Sequence, residues 1–203
     1  MSWLQTSVVT RASDLPIAVA ELKDYMRVDH DDEDAVIEAF LHSAIRKIEG
    51  PDGIGYAFRR QTWQRRMRRF PCTRYEPIEL CGWPVADVGI IRYVAPNGNQ
   101  ESFVPSDHPA DYGVYTDMEP VSIYRLRSDW PTIDYTHPWP VTVQYSLGVA
   151  SNDEIPDDLL LAAKMLAANW YENREGMQPS SMLTMPYGVQ ALLNAHARRI
   201  PGV

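Results

Sequence analysis

Cysteine is scarce in this chain of 203 residues: there are two, Cys72 and Cys81, with no CxxC pair and no Cys/His spacing around them. That excludes a disulfide-stapled scaffold and the common zinc-finger patterns, and it favours free thiols in a reducing compartment. Long apolar runs are missing as well. None approaches the roughly 20 residues that a membrane-spanning helix needs. The opening Met-Ser-Trp-Leu-Gln lacks the basic start and apolar stretch of a secretory signal. There is no GxxxxGK[ST] loop to cradle phosphates and no GxSxG elbow to expose a nucleophilic serine. The five histidines are scattered singly, and neither cysteine has one beside it. Enzymes built on those motifs are thereby excluded, and neither a cofactor nor a metal is expected.

What is there is ordinary for a folded protein: 45% hydrophobic and 23% charged residues, enough chain for one good-sized core or two small ones. The formal charge of −8 argues against a general nucleic-acid binder, but it is unevenly spread. Residues 1–50 carry ten acids and five bases, whereas 51–80 carry seven arginines and three acids. A basic segment inside an acidic chain suggests a surface that faces something anionic, either a partner or nucleic acid.

Three stretches differ in kind. Residues 13–50 predict two helices. Pro16 suits a first helical turn, with Leu22, Tyr25 and Met26 as a short apolar stripe. A stronger helix over 32–49 repeats Val36, Ile37, Phe40, Leu41, Ala44, Ile45 and Ile48 at helical spacing, and Gly50 stops it. Residues 59–150 hold most of the sixteen prolines. Between them lie short β-rich runs at 78–81, 87–95, 100–104, 112–115, 121–125 and 141–147. Asn97-Gly98 predicts a turn between two of these, because Asn-Gly readily takes positive φ. Residues 156–200 return to helix: Pro156 opens it, Asp157 and Asp158 favour its positive end, and Gly176 follows its close. From Leu159 to Tyr171 only Lys164 and Asn169 are plainly polar, so this helix needs neighbours on more than one side. A last helix runs from Pro186 to about Arg199. The expected class is α+β: a bundle of N- and C-terminal helices with an inserted small antiparallel β-sheet region, divided as 1–58, 59–150 and 151–203.

Three clusters invite a functional reading. DHDDED (29–34) fails as a calcium loop, because its sixth position is not glycine and its twelfth is Phe40. His30-Asp31 matches the doublet of an HD-type metal phosphohydrolase, but no histidine precedes His30. The simpler reading is that Asp31 caps a helix whose positive end attracts the other acids. RRQTWQRRMRRF (59–70) fits a basic surface helix, with Trp63, Met67 and Phe70 on one side. It also fits a strand with Trp63, Arg65 and Met67 facing one way and Arg66 and Arg68 the other. Periodicity leans slightly to helix. NWYENREG (169–176) is the wet end of a helix rather than a catalytic cluster: Trp170 and Tyr171 continue its apolar girth, and Arg174 suits its negative end.

Taken in order, AELKDYMRVDHDDEDAVIEAFLHSAI (20–45), RRQTWQRRMRRFP (59–71), VTVQYSLG (141–148), IPDDLLLAAKMLAANWYENRE (155–175) and MPYGVQALLNAHAR (185–198) resemble the head–tail connector, or adaptor, proteins of long-tailed bacteriophages and phage-derived gene transfer agents. The resemblance spans nearly the whole chain and implies a strand at 61–70. It further implies a non-enzymatic ring, of twelve copies in most relatives, that joins the portal to a stopper or tail-completion protein and lets DNA pass unbound. Its place would be the head–tail junction of a particle assembled in the bacterial cytoplasm, with no membrane involved. On that reading Arg59, Arg60, Arg65, Arg66, Arg68 and Arg69 contact a neighbour. Leu160, Met165, Trp170 and Tyr171 form an inter-subunit helix face. Val189, Leu192, Leu193, Arg198 and Arg199 dock onto the portal, the alternative being that this last helix only closes the bundle against 36–48. The alternatives are the metal phosphohydrolase on His30 and Asp31, and a nucleic-acid binding module working through Arg59–Arg69.

Overall fold

A computed structural model describes residues 4–51, 53–73, 75–173 and 185–197. Its elements run β1 (Leu4–Thr10), α1 (Val19–Met26), α2 (Asp34–Ile48), β2 (Gln61–Met67), β3 (Ile78–Glu79), β4 (Val85–Val94), β5 (Gln100–Phe103), β6 (Tyr112–Tyr115), β7 (Ser122–Arg125), β8 (Val141–Leu147), α3 (Asp157–Glu172) and α4 (Tyr187–His196). The class is α+β. Among the described residues two compact units separate: a helical one from Ser13–Arg59 and the described part of Val149–Arg198, and a β one from Arg60–Gly148 and residues 4–12.

In the helical unit, α2 buries Ile37, Leu41, Ala44, Ile45 and Ile48, the stripe that its spacing predicts. Each fully buried Ile or Leu stabilises by roughly 1.5–3 kcal/mol relative to an exposed one. The helix ends where Glu49 turns extended and Gly50 takes φ +95°, a conformation that a side chain resists. At the other end of α2 the expected cap is corrected. Glu33 occupies the N-cap with no side-chain cap bond, and Asp31 turns to Lys23 instead. Pro16 likewise precedes the helix, because Ala18 is the N-cap of α1. Pro156 does open α3, with Asp157 and Asp158 in its first turn. The close of α3 falls at Asn173, whose N–H and Nδ2 both donate to the Asn169 carbonyl, at 3.1 and 2.8 Å. Arg174, Glu175 and Gly176 lie outside the described residues.

The β unit holds an antiparallel five-stranded sheet, β1-β2-β8-β4-β5, and a three-stranded one, β3-β7-β6. At 59–70 the strand implied by the resemblance is borne out and the helix slightly favoured by periodicity is not: β2 is paired to β1 on one side and β8 on the other. Trp63 and Met67 share a face at a spacing of four in either structure, so that pair could not discriminate. Phe70, which favoured a helix, lies beyond the strand. β1 departs from the expectation that 1–58 belongs with the helices. LQTSVVT is short, it lies at the sheet edge, and it owes its conformation to β2. The β4–β5 turn is as expected: the Gly98 N–H donates to the Ala95 carbonyl at 2.8 Å and Gly98 takes φ +81°.

Candidate functional site

Alternation along β2 divides the arginine segment. Gln61, Trp63, Arg65 and Met67 point into the core together with Val141, Val143, Tyr145 and Leu147 of β8, while Arg66 is exposed. Arg65 is only 2% exposed, and its Nη1 donates to Cys81 Sγ at 3.0 Å. Thr6 Oγ1 approaches the same sulfur at 3.4 Å, and the Tyr145 hydroxyl donates to the Cys81 carbonyl at 2.8 Å. Burial pushes that hydroxyl's pKa up. Arg65 therefore works inside its own unit, a correction to its place among partner-facing residues. Arg60, Arg66, Arg68 and Arg69 are exposed, and Arg59 is half-buried. Arg68 stacks over Trp139, 5.6 Å from the ring centre. Arg68 and Arg69 also border a cleft of about 520 Å³ shared with Phe70, Pro71, Glu76 and Glu79, so this end of the segment is mixed in charge.

Beside it lies a feature that no sequence pattern announced. Phe70, Trp130, Tyr112 and Phe103 stack in series with ring centres 5.0, 5.0 and 4.9 Å apart, and Tyr93 meets Phe103 edge-on. These rings come from separate strands and loops spread between positions 70 and 130 of the chain. Their spacing has no periodicity, so only folding gathers them.

The acidic cluster is largely occupied. Lys23 reaches out from a buried stem to Asp31 at 2.5 Å and Asp34 at 2.7 Å, and Glu33 accepts a hydrogen bond from the Tyr171 hydroxyl. Hydrogen bonding to Lys23 holds the Asp31 carboxyl below the usual carboxylate range. His30 lies 4.0 Å from Asp32, and among the described residues no group of three or more His, Cys, Asp or Glu is placed to hold a metal ion. Cys72 and Cys81 are both free thiols, the first exposed and the second buried.

The apolar girth of α3 finds its neighbours within the chain. Leu159, Ala163 and Leu166 are buried in the helical core, where α2 is the main neighbour. Toward α1, Lys164 pairs with Glu21 at 2.5 Å. On another side lies α4, where His196 Nε2 meets Asp158 at 2.5 Å. Leu160, Met165, Trp170 and Tyr171 are half-buried, and Leu161, at 40%, is the exposed large apolar residue of this helix. In α4, Val189 and Leu193 are buried at 0% and 2%, and Leu192 is half-buried. A side chain packed this way cannot also enter a portal without leaving its core. Outward, α4 presents Tyr187, 89% exposed. Arg198 and Arg199 lie outside the described residues.

Residues 139–196 match the model of the phage gp6-like head–tail connector family. No curated protein matches. Among solved structures, the chain is similar to one from the neck of an empty gene transfer agent particle computed with C6 symmetry, 26% identical with a TM-score of 0.73. It is similar to one from the virion of a native gene transfer agent particle, at 27% and 0.71, and to one from the neck of a native particle computed with C12 symmetry, at 26% and 0.69. Each match covers 98% of both chains. The resemblance to head–tail connectors is therefore borne out, in sequence over the β8–α3–α4 stretch and in fold over nearly the full length.

Proposed function

We propose that this protein is a structural head–tail connector: a ring of copies at the neck of a phage-like particle, joining the portal to a stopper or tail and leaving a passage for DNA. The observation that carries the reading is full-length similarity, at 26–27% identity, to chains of gene transfer agent necks, joined to the connector-family match at 139–196. The C12 symmetry of one such neck favours twelve copies. The helices from both ends of the chain are taken as one bundle, with the β unit inserted between them in sequence.

Burial narrows the contacts. On the basic side, Arg60 and Arg69 remain exposed for an acidic neighbour, with Asp29 and Asp32 of an adjacent copy as partners, since Asp31, Glu33 and Asp34 are engaged at home. Leu161 takes the inter-subunit role of α3, and the Tyr187 face of α4 takes portal docking, while Val189 and Leu193 hold that helix in place. Imaging of purified particles tests the reading. Density for this fold in a ring beneath the portal is expected, and deletion of the gene should leave DNA-filled heads without tails. Normally tailed particles from the deletion strain would refute it. Tyr187→Ala should lower head-to-tail joining while the isolated protein keeps its melting temperature.

A further inference from the structure

One feature of the arginine segment is left over from these contacts: β2 aims Arg66 at the open face of the five-stranded sheet. In register, Arg66 of β2 and Arg92 of β4 both pair with Thr142 of β8, so two guanidiniums flank one central threonine. Two strand spacings put them about 10 Å apart. Arg68, held over Trp139, continues beyond the end of β2. The next cross-strand row is neutral and hydrogen-bonding. Gln64 Nε2 donates to Ser7 Oγ at 3.0 Å, and Arg92 Nη1 donates to Gln144 Oε1 at 2.8 Å. Among the described residues the carboxylate on this face is Asp87, paired with Ser146, four residues along β8 from Thr142 and thus about 13 Å from the arginine row. In a chain with 27 acids, a half-exposed sheet face so poor in carboxylates is a marked exception.

We propose that this face is a contact surface for the backbone phosphates of double-stranded nucleic acid, sequence-independent and weak. Guanidiniums supply charge, and the amides and hydroxyls between them can donate to phosphate oxygens in many registers. An acidic protein segment is the competing polyanion. It is disfavoured because the dense acidic stretch of this chain has Asp31, Asp34 and Glu33 tied to Lys23 and Tyr171. The proposal does not depend on the connector reading, since it concerns the isolated chain.

The test is a binding titration of the full chain against a mixed-sequence duplex, read by fluorescence anisotropy. Three phosphate contacts predict a log–log salt slope of about −2.7, a roughly 40-fold loss of affinity between about 50 and 200 mM salt. The triple variant Arg66→Ala, Arg68→Ala, Arg92→Ala should lose most of that slope, and the triple Lys variant should keep it. Arg60→Ala with Arg69→Ala should leave affinity within about threefold. A wild-type chain without salt-dependent binding overturns the proposal. So does a triple Ala variant, folded by circular dichroism, that binds duplex normally. If the triple Lys variant, folded by the same criterion, fails to bind, charge on this face is not the cause and the proposal also falls. Loss of self-association with duplex affinity unchanged would assign the face to protein instead.

Discussion

The helical and β parts of this molecule carry charge in opposite ways. The helical segments, 13–59 and 149–203, hold 17 acids and 9 bases, and the rest of the chain holds 10 of each. In the helical part the key charges close on one another: Lys23 on Asp31 and Asp34, Lys164 on Glu21, His196 on Asp158. In the β part, arginines alternate along one strand between core and surface, so adjacent residues of one type do different work. A charge cluster in sequence is thus no guide to a binding surface until pairing within the chain has been subtracted. What is left for partners on the β part is basic, and what is left on the helical part is Asp29 and Asp32 together with single exposed apolar residues such as Tyr25, Val36, Leu161 and Tyr187.

That contrast can be broken experimentally, and the largest effect belongs to the β core. Trp63 is fully buried, with Nε1 donating to Gln61 Oε1 at 3.0 Å, so Trp63→Ala should cost about 3–5 kcal/mol by chemical denaturation. A loss under about 1 kcal/mol would mean the sheet does not depend on this side chain. Next comes Leu193→Ala in α4, expected to cost about 2–4 kcal/mol. If stability is unchanged, α4 is not part of the helical core and docking by its buried face regains support.

Acid should act on the helical pairs. Hydrogen bonding to Lys23 and to His196 lowers the pKa of Asp31 and of Asp158. A carboxyl whose folded pKa is lowered contributes stability that is fully present above its unfolded value of about 3.9 and is lost as pH falls through the folded value. Melting temperature should therefore fall on acidification below about pH 4, and Lys23→Met with His196→Gln should flatten that limb. An acid limb unchanged in the double variant would show that these pairs do not carry it. The smallest effect sharpens the contrast within β2. Arg66→Ala should change stability by no more than about 0.5 kcal/mol, whereas Arg65→Ala, two percent exposed against Cys81, should be clearly destabilising. Equal effects in a denaturant series would erase the division between the two faces.

Much was legible in advance because it rests on local chemistry. The α2 stripe, Pro156 at the start of α3, the β8 run at 141–147 and the turn at Gly98 all follow from side-chain spacing or from φ preferences that act within a few residues. The α+β class and the connector resemblance belong there too, since they depend on the order of such local patterns. Tertiary structure alone decided the rest. Side-chain period by itself left 61–67 open between helix and strand, because Trp63 and Met67 satisfy either, and the physical choice lay with β1 and β8 offering hydrogen bonds to both its edges. Which arginines face out followed from that strand's alternation against a core, and Arg92 joined Arg66 only because both pair with Thr142. The fate of Val189 and Leu193 was undetermined in the same sense: an amphipathic helix records that it must bury a face, and long-range packing against α3 determines what covers it.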